Sequence, residues 1–538
     1  MISIADGIGL LIGIVIIATI ADRLRIAYPI LLVIAGVGIA LLPVKHRVSL
    51  DPDLVLLVFL PPLIYDASLD TSARELRTHI RPIAFLAVGL VVATMTAVAV
   101  VAHTLVDGMS WPVAFALGAI VSPPDSVAAT QIAGKLGLPR RMVTILGGEG
   151  LMNDATALTA YQLAIAAVGT AFTVADVFGK FFFAVFVGVG IGIAVGWMGS
   201  RLLRFTETPV IENTMLLILP FAAYLPADTI GASGVLAVVA CGLVFGRYGS
   251  GSLTAATRLQ QREIWDLVVF LLTGLSFLLV GLELRPILDS LANRESGSLI
   301  TEALAVVGVV IAVRIVWIVG ATALPGGQRL VGATQRSARS WRETVVVSWA
   351  GMRGAVSLAA ALALPQDFPQ RDLLVFLAFA VIVATLVGQG LTLPPLIRRF
   401  GLVTRDERDM VLVAEARRRL TMVALSRIED LSHSDRFPDE VLDRIRLGYE
   451  SQLARIERRL AAISSGTHGD GDPVDGDPDG SGATDSRGAL EAEMELRQLV
   501  IATERAELDL LLARRKVTER VAGGVRAALD VDETTMRP

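Results

Sequence analysis

The sequence predicts an all-α polytopic membrane protein: about 13 transmembrane helices with inverted repeats and two broken crossing helices, followed by a helical cytoplasmic tail. Three observations carry that expectation. Of 538 residues, 53% are hydrophobic and 19% charged, and the mean hydropathy of +0.63 lies well above that of water-soluble chains. Apolar runs of roughly 20 residues, the length that crosses a bilayer, recur as far as residue 400. Beyond that point charge alternates and apolar residues return at helical spacing. Composition also excludes several classes. With 48 basic and 52 acidic residues the formal charge is −4, so no basic field exists to attract nucleic acid. Cys241 is the only cysteine and the five histidines are scattered, which removes disulfide frameworks and His/Cys metal centres.

The first apolar run, 8–20, has signal-peptide length, yet no basic residue precedes it and no small-residue cleavage site follows, so it reads as the first membrane helix. Further spans follow, giving thirteen centred in 3–21, 28–44, 53–66, 82–106, 111–132, 142–168, 178–200, 210–225, 229–246, 264–284, 299–323, 342–364 and 372–397. Sorting Lys and Arg of successive loops into two alternating sets yields seventeen against six. The richer set, which includes Arg23, Arg77, Arg141, Arg204, Arg262 and Arg339, belongs in the cytoplasm by the positive-inside rule. That places the N-terminus of a multi-pass membrane protein outside and the tail after Arg399 inside.

Two spans are interrupted: the fifth by Ser122-Pro123-Pro124-Asp125 and the twelfth by Gly351-Met352-Arg353-Gly354. They lie seven spans apart, an odd number, and so run in opposite directions, as inverted-topology repeats require. The substrate site is expected where they meet. Residues 1–400 thus form a transmembrane domain and 401–538 a helical tail, with helices over 410–431, 441–463 and 490–512. Between the last two, 464–488 is rich in Gly, Asp and Pro and reads as a disordered acidic linker. Its Asp475, Asp477, Asp479 and Gly480 match half of a calcium loop, but Ser486 stands where the bidentate Glu belongs and Pro478 intrudes.

Ionisable residues inside apolar spans carry the chemistry, since a carboxylate at a helix centre costs roughly 2.5–3.5 kcal/mol to insert. Span six holds Glu149, Asn153 and Asp154 within about two turns. Glu149 and Asn153 share a face, whereas Asp154 sits about 100° further round. Asp125 follows the Pro123-Pro124 break, where prolines release backbone carbonyls from helical bonding. Carbonyls and carboxylates together suit a hard cation. Withdrawing a carboxylate from water disfavours its charged form unless a cation replaces the water. That is the requirement for exchanging a proton for a cation. Arg353 and Arg314 also lie within spans and need counter-charges, with Glu149 the expected partner of Arg353. Asp66, near the end of span three, and Glu283, beside Arg285, fit interfacial positions. Gly188, Gly192 and Gly196 suit close helix packing.

Five motifs in order, FLPPLIYDASLD (59–70), SPPDSVAA (122–129), GGEGLMNDATAL (147–158), FLLVGLEL (277–284) and WAGMRGAVSLAAALALP (349–365), resemble the NhaP-type Na+/H+ antiporters of the cation:proton antiporter-1 family, relatives of the animal sodium/hydrogen exchangers. The resemblance spans roughly the first 400 residues. It implies a thirteen-helix fold with a dimerisation domain and a six-helix core, a homodimer, and elevator-type alternating access. It also implies an ion- and proton-binding Asp154 supported by Asn153, with Asp125 and the backbone carbonyl of Pro124 beside the Na+, Asp66 in the third helix, and a structural ion pair of Glu149 with Arg353. Gly150 and Pro124 replace a serine and a threonine common at those places. The Asn153-Asp154 pair resembles the electroneutral branch, one cation for one proton.

The expected function is therefore secondary antiport of a monovalent cation, Na+ first, against H+, with no cofactor. K+/H+ antiport (or Li+ as the cation) is the alternative, and a non-transporting membrane sensor acting through its tail is a second class. No paired nucleophile and base lies within the spans, so enzymatic activity is not expected.

Overall fold

The computed structural model describes residues 4–24, 26–42, 52–69, 80–125, 128–130, 132, 138, 140–169, 174–206, 208–249, 253–291, 294–323, 340–402, 407–434, 436–464, 487–514, 517 and 519–534, and among them no strand occurs. The membrane-type helices begin with α1 (Ile4–Leu24), α2 (Tyr28–Leu41), α3 (Pro52–Leu69) and α4 (Ile80–Ala84), which passes through a π-helical turn at Phe85–Leu90 into α5 (Val91–Leu105). They continue with α6 (Trp111–Val121), α7 (Arg140–Gly169), α8 (Val174–Leu202), α9 (Pro209–Thr229), α10 (Gly234–Tyr248), α11 (Ala255–Leu282), α12 (Leu284–Ser290) and α13 (Ser296–Ala323). After α14 (Ser340–Trp349) and α15 (Ala355–Leu362), α16 (Arg371–Val383) runs through a second π-helical turn at Ala384–Gln389 into α17 (Gly390–Arg399). Four helices close the chain: α18 (Glu407–Ser432), α19 (Asp439–Ser464), α20 (Arg487–Ala513) and α21 (Glu519–Thr534).

Local chemistry explains the boundaries. Proline in the first turn of α2, α6 and α9 supplies a fixed φ and lacks an N–H that no helical carbonyl could have accepted. Ser233 caps α10 by accepting from the Leu236 N–H at 3.3 Å. Among the described residues seven helical stretches are long and apolar enough to cross a membrane, and Tyr28–Leu41, Leu57–Leu69, Trp111–Val121 and Gly234–Tyr248 are shorter apolar helices.

The chain divides into two compact units, Met1–Leu253 with Glu263–Val403, and Thr254–Arg262 with Thr404–Pro538. The first has two apolar cores. One gathers α2, α5, α6, α7 and α16 around residues such as Leu32, Val98, Leu117, Ile145 and Leu377. The other joins α3, α9 and α10 through Tyr65, Leu216, Val238 and Phe245. Helices α8 and α10 approach closely along the small-residue stripe: a Cβ on Gly188 would stand 2.6 Å from the Ser233 carbonyl oxygen, and one on Gly196 2.7 Å from that of Cys241.

The second unit packs α18 against α20 and α21 through Leu420, Leu508 and Val525, and against α19 and α20 through Ile428, Leu442 and Leu496. Buried Asp530 accepts from Arg258 Nε at 2.8 Å and Nη2 at 2.6 Å, and from Arg505 Nη2 at 2.6 Å. Thr254–Arg262 thus enters this unit as the first turns of α11. Three differences from the sequence reading follow. The helix expected from residue 264 starts at Ala255, because charged Arg258, Arg262 and Glu263 end the apolar run without ending helix propensity. Helix α21 was not anticipated. Ser464, Arg487 and Gly488, read as linker, are helical, while the rest of that stretch and its half calcium loop lie outside the described residues.

Candidate functional site

Both interruptions are present. α6 stops at Val121, with Ser122–Asp125 non-helical, and Ala350–Gly354 separates α14 from α15. Prolines 123 and 124 stop the first, since they lack the N–H a helix needs. The two breaks touch directly: the Asp125 N–H donates to the Met352 carbonyl at 2.6 Å. A Cβ on Gly354 would overlap the Asp125 carboxylate, so only glycine admits the approach at this position. Asp125 Oδ1 in turn accepts from the Ala128 N–H at 3.3 Å, the i to i+3 geometry of an N-cap.

Arg353, fully buried, ties the crossing together. Its Nε donates to the Val121 carbonyl at 2.9 Å, its Nη2 to that of Ser122 at 3.2 Å and its Nη1 to that of Gly351. Its own N–H donates to Thr385 Oγ1 at 3.0 Å, in the π-helical turn between α16 and α17. Asn153 Nδ2 donates to the Pro124 carbonyl at 3.0 Å. The carbonyls of Val121, Ser122, Pro124, Gly351 and Met352 therefore already accept from fixed donors. The sequence reading offered such carbonyls to an ion; the structure gives them first to Arg353, Asn153 and the Asp125 N–H.

The ion pair is also redistributed. Glu149, expected to pair with Arg353, instead accepts from Arg314 on α13, at 2.6 Å from Nη1 and 3.1 Å from Nη2. Arg314 further donates to the Val347 carbonyl at 3.4 Å from Nε and 3.3 Å from Nη2. Arg353 is satisfied by carbonyls because it lies within the break, where carbonyls are free, whereas Glu149 sits on a continuous helix facing α13.

Asp125 and Asp154 line one cavity of about 60 Å³, room for a few water molecules at 10–15 Å³ of such volume each. Its walls come from α3 (Leu60, Leu63, Ile64, Ala67), the first break (Pro123, Pro124), α7 (Gly150), α11 (Thr273, Ser276, Phe277) and the start of α15 (Gly354 to Ser357). Gly150 faces the cavity and so leaves space there. Asn153 is fully buried and acts as a tether outside the lining. Asp66 does not line the cavity either: the face of α3 that does so carries residues 60, 63, 64 and 67, and Asp66 lies to its side. Sequence reasoning missed Arg314 as the partner of Glu149, Thr385, and the hydroxyls Thr273 and Ser276 of the α11 wall; hydroxyl residues in apolar helices are too common to mark the latter three.

A family model described as "Sodium/hydrogen exchanger, transmembrane" matches residues 10–399. The chain belongs to the sodium/hydrogen exchanger family. Relatives in this family include an uncharacterised Na(+)/H(+) exchanger of Mycobacterium tuberculosis, 32% identical over 541 residues and covering 98% of this chain and 95% of the relative. The Na(+)/H(+) antiporter ApNhaP of Aphanothece halophytica is 31% identical, covering 73% of each chain. A sodium, potassium, lithium and rubidium/H(+) antiporter of Bacillus pumilus is 30% identical, covering 83% of this chain and 69% of that one. Among solved structures, the sodium proton antiporter MjNhaP1 of Methanocaldococcus jannaschii superposes with a TM-score of 0.55 at 16% identity, covering 73% of this chain and 96% of that one. The sodium/hydrogen exchanger match contains every residue of the cavity, and the fold is that of NhaP antiporters.

Proposed function

We propose that this protein exchanges a monovalent cation, Na+ in the first place, for a proton across the bacterial plasma membrane. The observation that carries the reading is the convergence of Asp154 and Asp125 on one small cavity at the crossing of two interrupted helices. Two carboxylates in a confined, partly dry site repel one another unless a proton or a cation neutralises them. Proton and cation then compete for Asp154, with Asp125 the second carboxylate and Asn153 holding the Pro124 carbonyl in place. One principal carboxylate that holds either a proton or a cation gives one-for-one, electroneutral exchange. Alternating exposure of the site by an elevator-type movement, residues 1–400 as the transmembrane domain, residues 401–538 as the cytoplasmic tail and a homodimeric assembly belong to the same reading, supported by the resemblance to NhaP antiporters. The loop asymmetry of seventeen basic residues against six supports an outside N-terminus.

K+/H+ exchange is the second reading. It is favoured by Gly150, which leaves the cavity without a fixed hydroxyl at that position, and by the potassium in the name of the Bacillus pumilus relative. The test is dequenching of a pH-sensitive dye in everted vesicles, titrated separately with Na+, K+ and Li+. Saturable exchange that Asp154→Asn abolishes is expected. A variant with full cation-dependent signal refutes the reading, and the three titrations rank the ions.

A further inference from the structure

One wall of the cavity lies at the edge of the motif FLLVGLEL (277–284), which contains its Phe277 but neither of its hydroxyls. Thr273, Ser276 and Phe277 present one face of α11 to the cavity, at the i, i+3, i+4 spacing of a single helix side. The two hydroxyls differ. Ser276 Oγ donates to the Leu272 carbonyl at 2.7 Å, the usual resting state of a hydroxyl in an apolar helix. Thr19, Thr96, Thr214 and Thr301 do the same, each donating to the carbonyl four residues back at 2.7–2.9 Å. Thr273 does not: the residue is 1% exposed, and its Oγ1 is buried without a hydrogen-bond partner among the described residues.

A buried hydroxyl without a partner is costly and calls for an explanation. Thr94 on α5 has the same character, so the orphaned hydroxyl alone would point nowhere. What distinguishes Thr273 is that it lines the cavity shared by Asp125 and Asp154. Of the cavity's other hydroxyls, Ser276 is already engaged with the Leu272 carbonyl and Ser357 stands on another wall, at the start of α15; the rest of the lining adds few neutral oxygens. Gly150 brings no side chain, Pro124 no hydroxyl, and the released carbonyls accept from Arg353 and Asn153. A hard cation leaving water needs several oxygen donors, and two carboxylates supply only part of the set.

We propose that Thr273 supplies a neutral oxygen ligand to the alkali cation carried at Asp154. The inference rests on the antiport reading. A hydroxyl is suited to the task because its oxygen faces a cation while its proton turns away, and when the carboxylate is protonated the same group accepts or donates a hydrogen bond. Threonine, branched at Cβ, holds that oxygen in few rotamers.

The experiment compares wild type, Thr273→Val, Thr273→Ser and Asp154→Asn in proteoliposomes, and measures Na+-dependent thermal stabilisation of each purified full-length protein in detergent. Thr273→Val keeps the shape and removes the oxygen. It is expected to raise the half-saturating Na+ concentration about five- to tenfold, the worth of one neutral donor, in both transport and stabilisation, with the maximal rate held within about twofold. Thr273→Ser, which restores an oxygen, is expected to recover most of the affinity. An unchanged half-saturation in Thr273→Val overturns the proposal and leaves the antiport reading standing. So does a lower maximal rate at unchanged half-saturation, or a Thr273→Ser variant as impaired as Thr273→Val, since either marks a packing role. Absence of cation-dependent exchange and of Na+ stabilisation in the wild type overturns both.

Discussion

Glu149 and Arg314 make a buried pair whose side chains are 2% and 1% exposed, held by two hydrogen bonds of 2.6 and 3.1 Å. Replacing Arg314 with Met removes both donors and leaves a carboxylate in an apolar helix contact. Arg353 cannot substitute, because its guanidinium donates to the carbonyls of Val121, Ser122 and Gly351. Each charge-assisted bond is worth about 1.5–3 kcal/mol, and breaking a buried pair from one side costs about 3–5 kcal/mol. Glu149→Met is expected to be the milder change, since Arg314 retains the Val347 carbonyl at 3.3 and 3.4 Å. In the double variant neither member of the pair is left facing an absent partner, although buried Arg353 loses the nearby Glu149 charge; much of the loss should return, giving a coupling of about 2 kcal/mol.

Equilibrium unfolding in mixed detergent micelles, run as a double-mutant cycle, measures that coupling. Strict additivity of the two single changes, or a double variant less stable than Arg314→Met, would refute the reasoning. It would mean that the pair contributes no more than two independent side chains.

Three further expectations follow from other contacts. Gly354→Ala puts a methyl group onto the Asp125 carboxylate; it is expected to cut exchange about fivefold or more through an overpacking penalty of about 1–3 kcal/mol, measured as vesicle transport normalised to inserted protein. Asp530→Ala removes the acceptor shared by Arg258 and Arg505, whose side chains are 18% and 30% exposed. Discounted for that exposure the loss is about 1–2 kcal/mol, read in the full-length protein as roughly tenfold faster amide exchange in α21. Acidification acts by competition. Below the titration point of the site, each unit of pH is expected to raise the apparent half-saturating cation concentration about tenfold at constant maximal rate, and a rate that keeps rising into acid contradicts a shared carboxylate.

The sequence was legible where neighbouring residues together have one physical consequence. Pro123-Pro124 and the glycines around Arg353 interrupt apolar runs next to charged residues, so both breaks could be placed to within a few residues, whereas Pro61-Pro62 and Pro394-Pro395 lie inside continuous helices. Gly188, Gly192 and Gly196 recur every fourth residue, and their close contact with α10 follows from size alone. What could not be read was partnership across the fold. Glu149 had two arginines to choose from, and only the geometry of α13 favours Arg314. Asp66 carries the same charge as Asp125, yet a rotation of about 60° on α3, from the lining position of Leu63, takes it off the cavity. Arg258 sits in a loop-like charged stretch, and its bond to Asp530 joins residues 272 apart in the chain.

The carbonyls released by a helix break are the usual reason to expect an ion there, and here they bear on selectivity in another way. Arg353 brings its fixed positive charge to Val121, Ser122 and Gly351, and Asn153 holds Pro124. The backbone at the crossing is thereby stiffened, and an arriving cation finds side chains and water instead of a rigid carbonyl cage. In the proposed reading the set is two carboxylates, the Thr273 hydroxyl and water in the space beside Gly150. Water and a rotatable hydroxyl adjust to ions of different radius, whereas a cage of fixed carbonyls would discriminate among them by fit or field strength. Broad tolerance of alkali cations is therefore the expected consequence of this particular pair of breaks. Restoring a fixed hydroxyl with Gly150→Ser should narrow it: the ratio of half-saturating K+ to Na+ should rise, and an unchanged ratio would show that the space beside Gly150 takes no part in coordination.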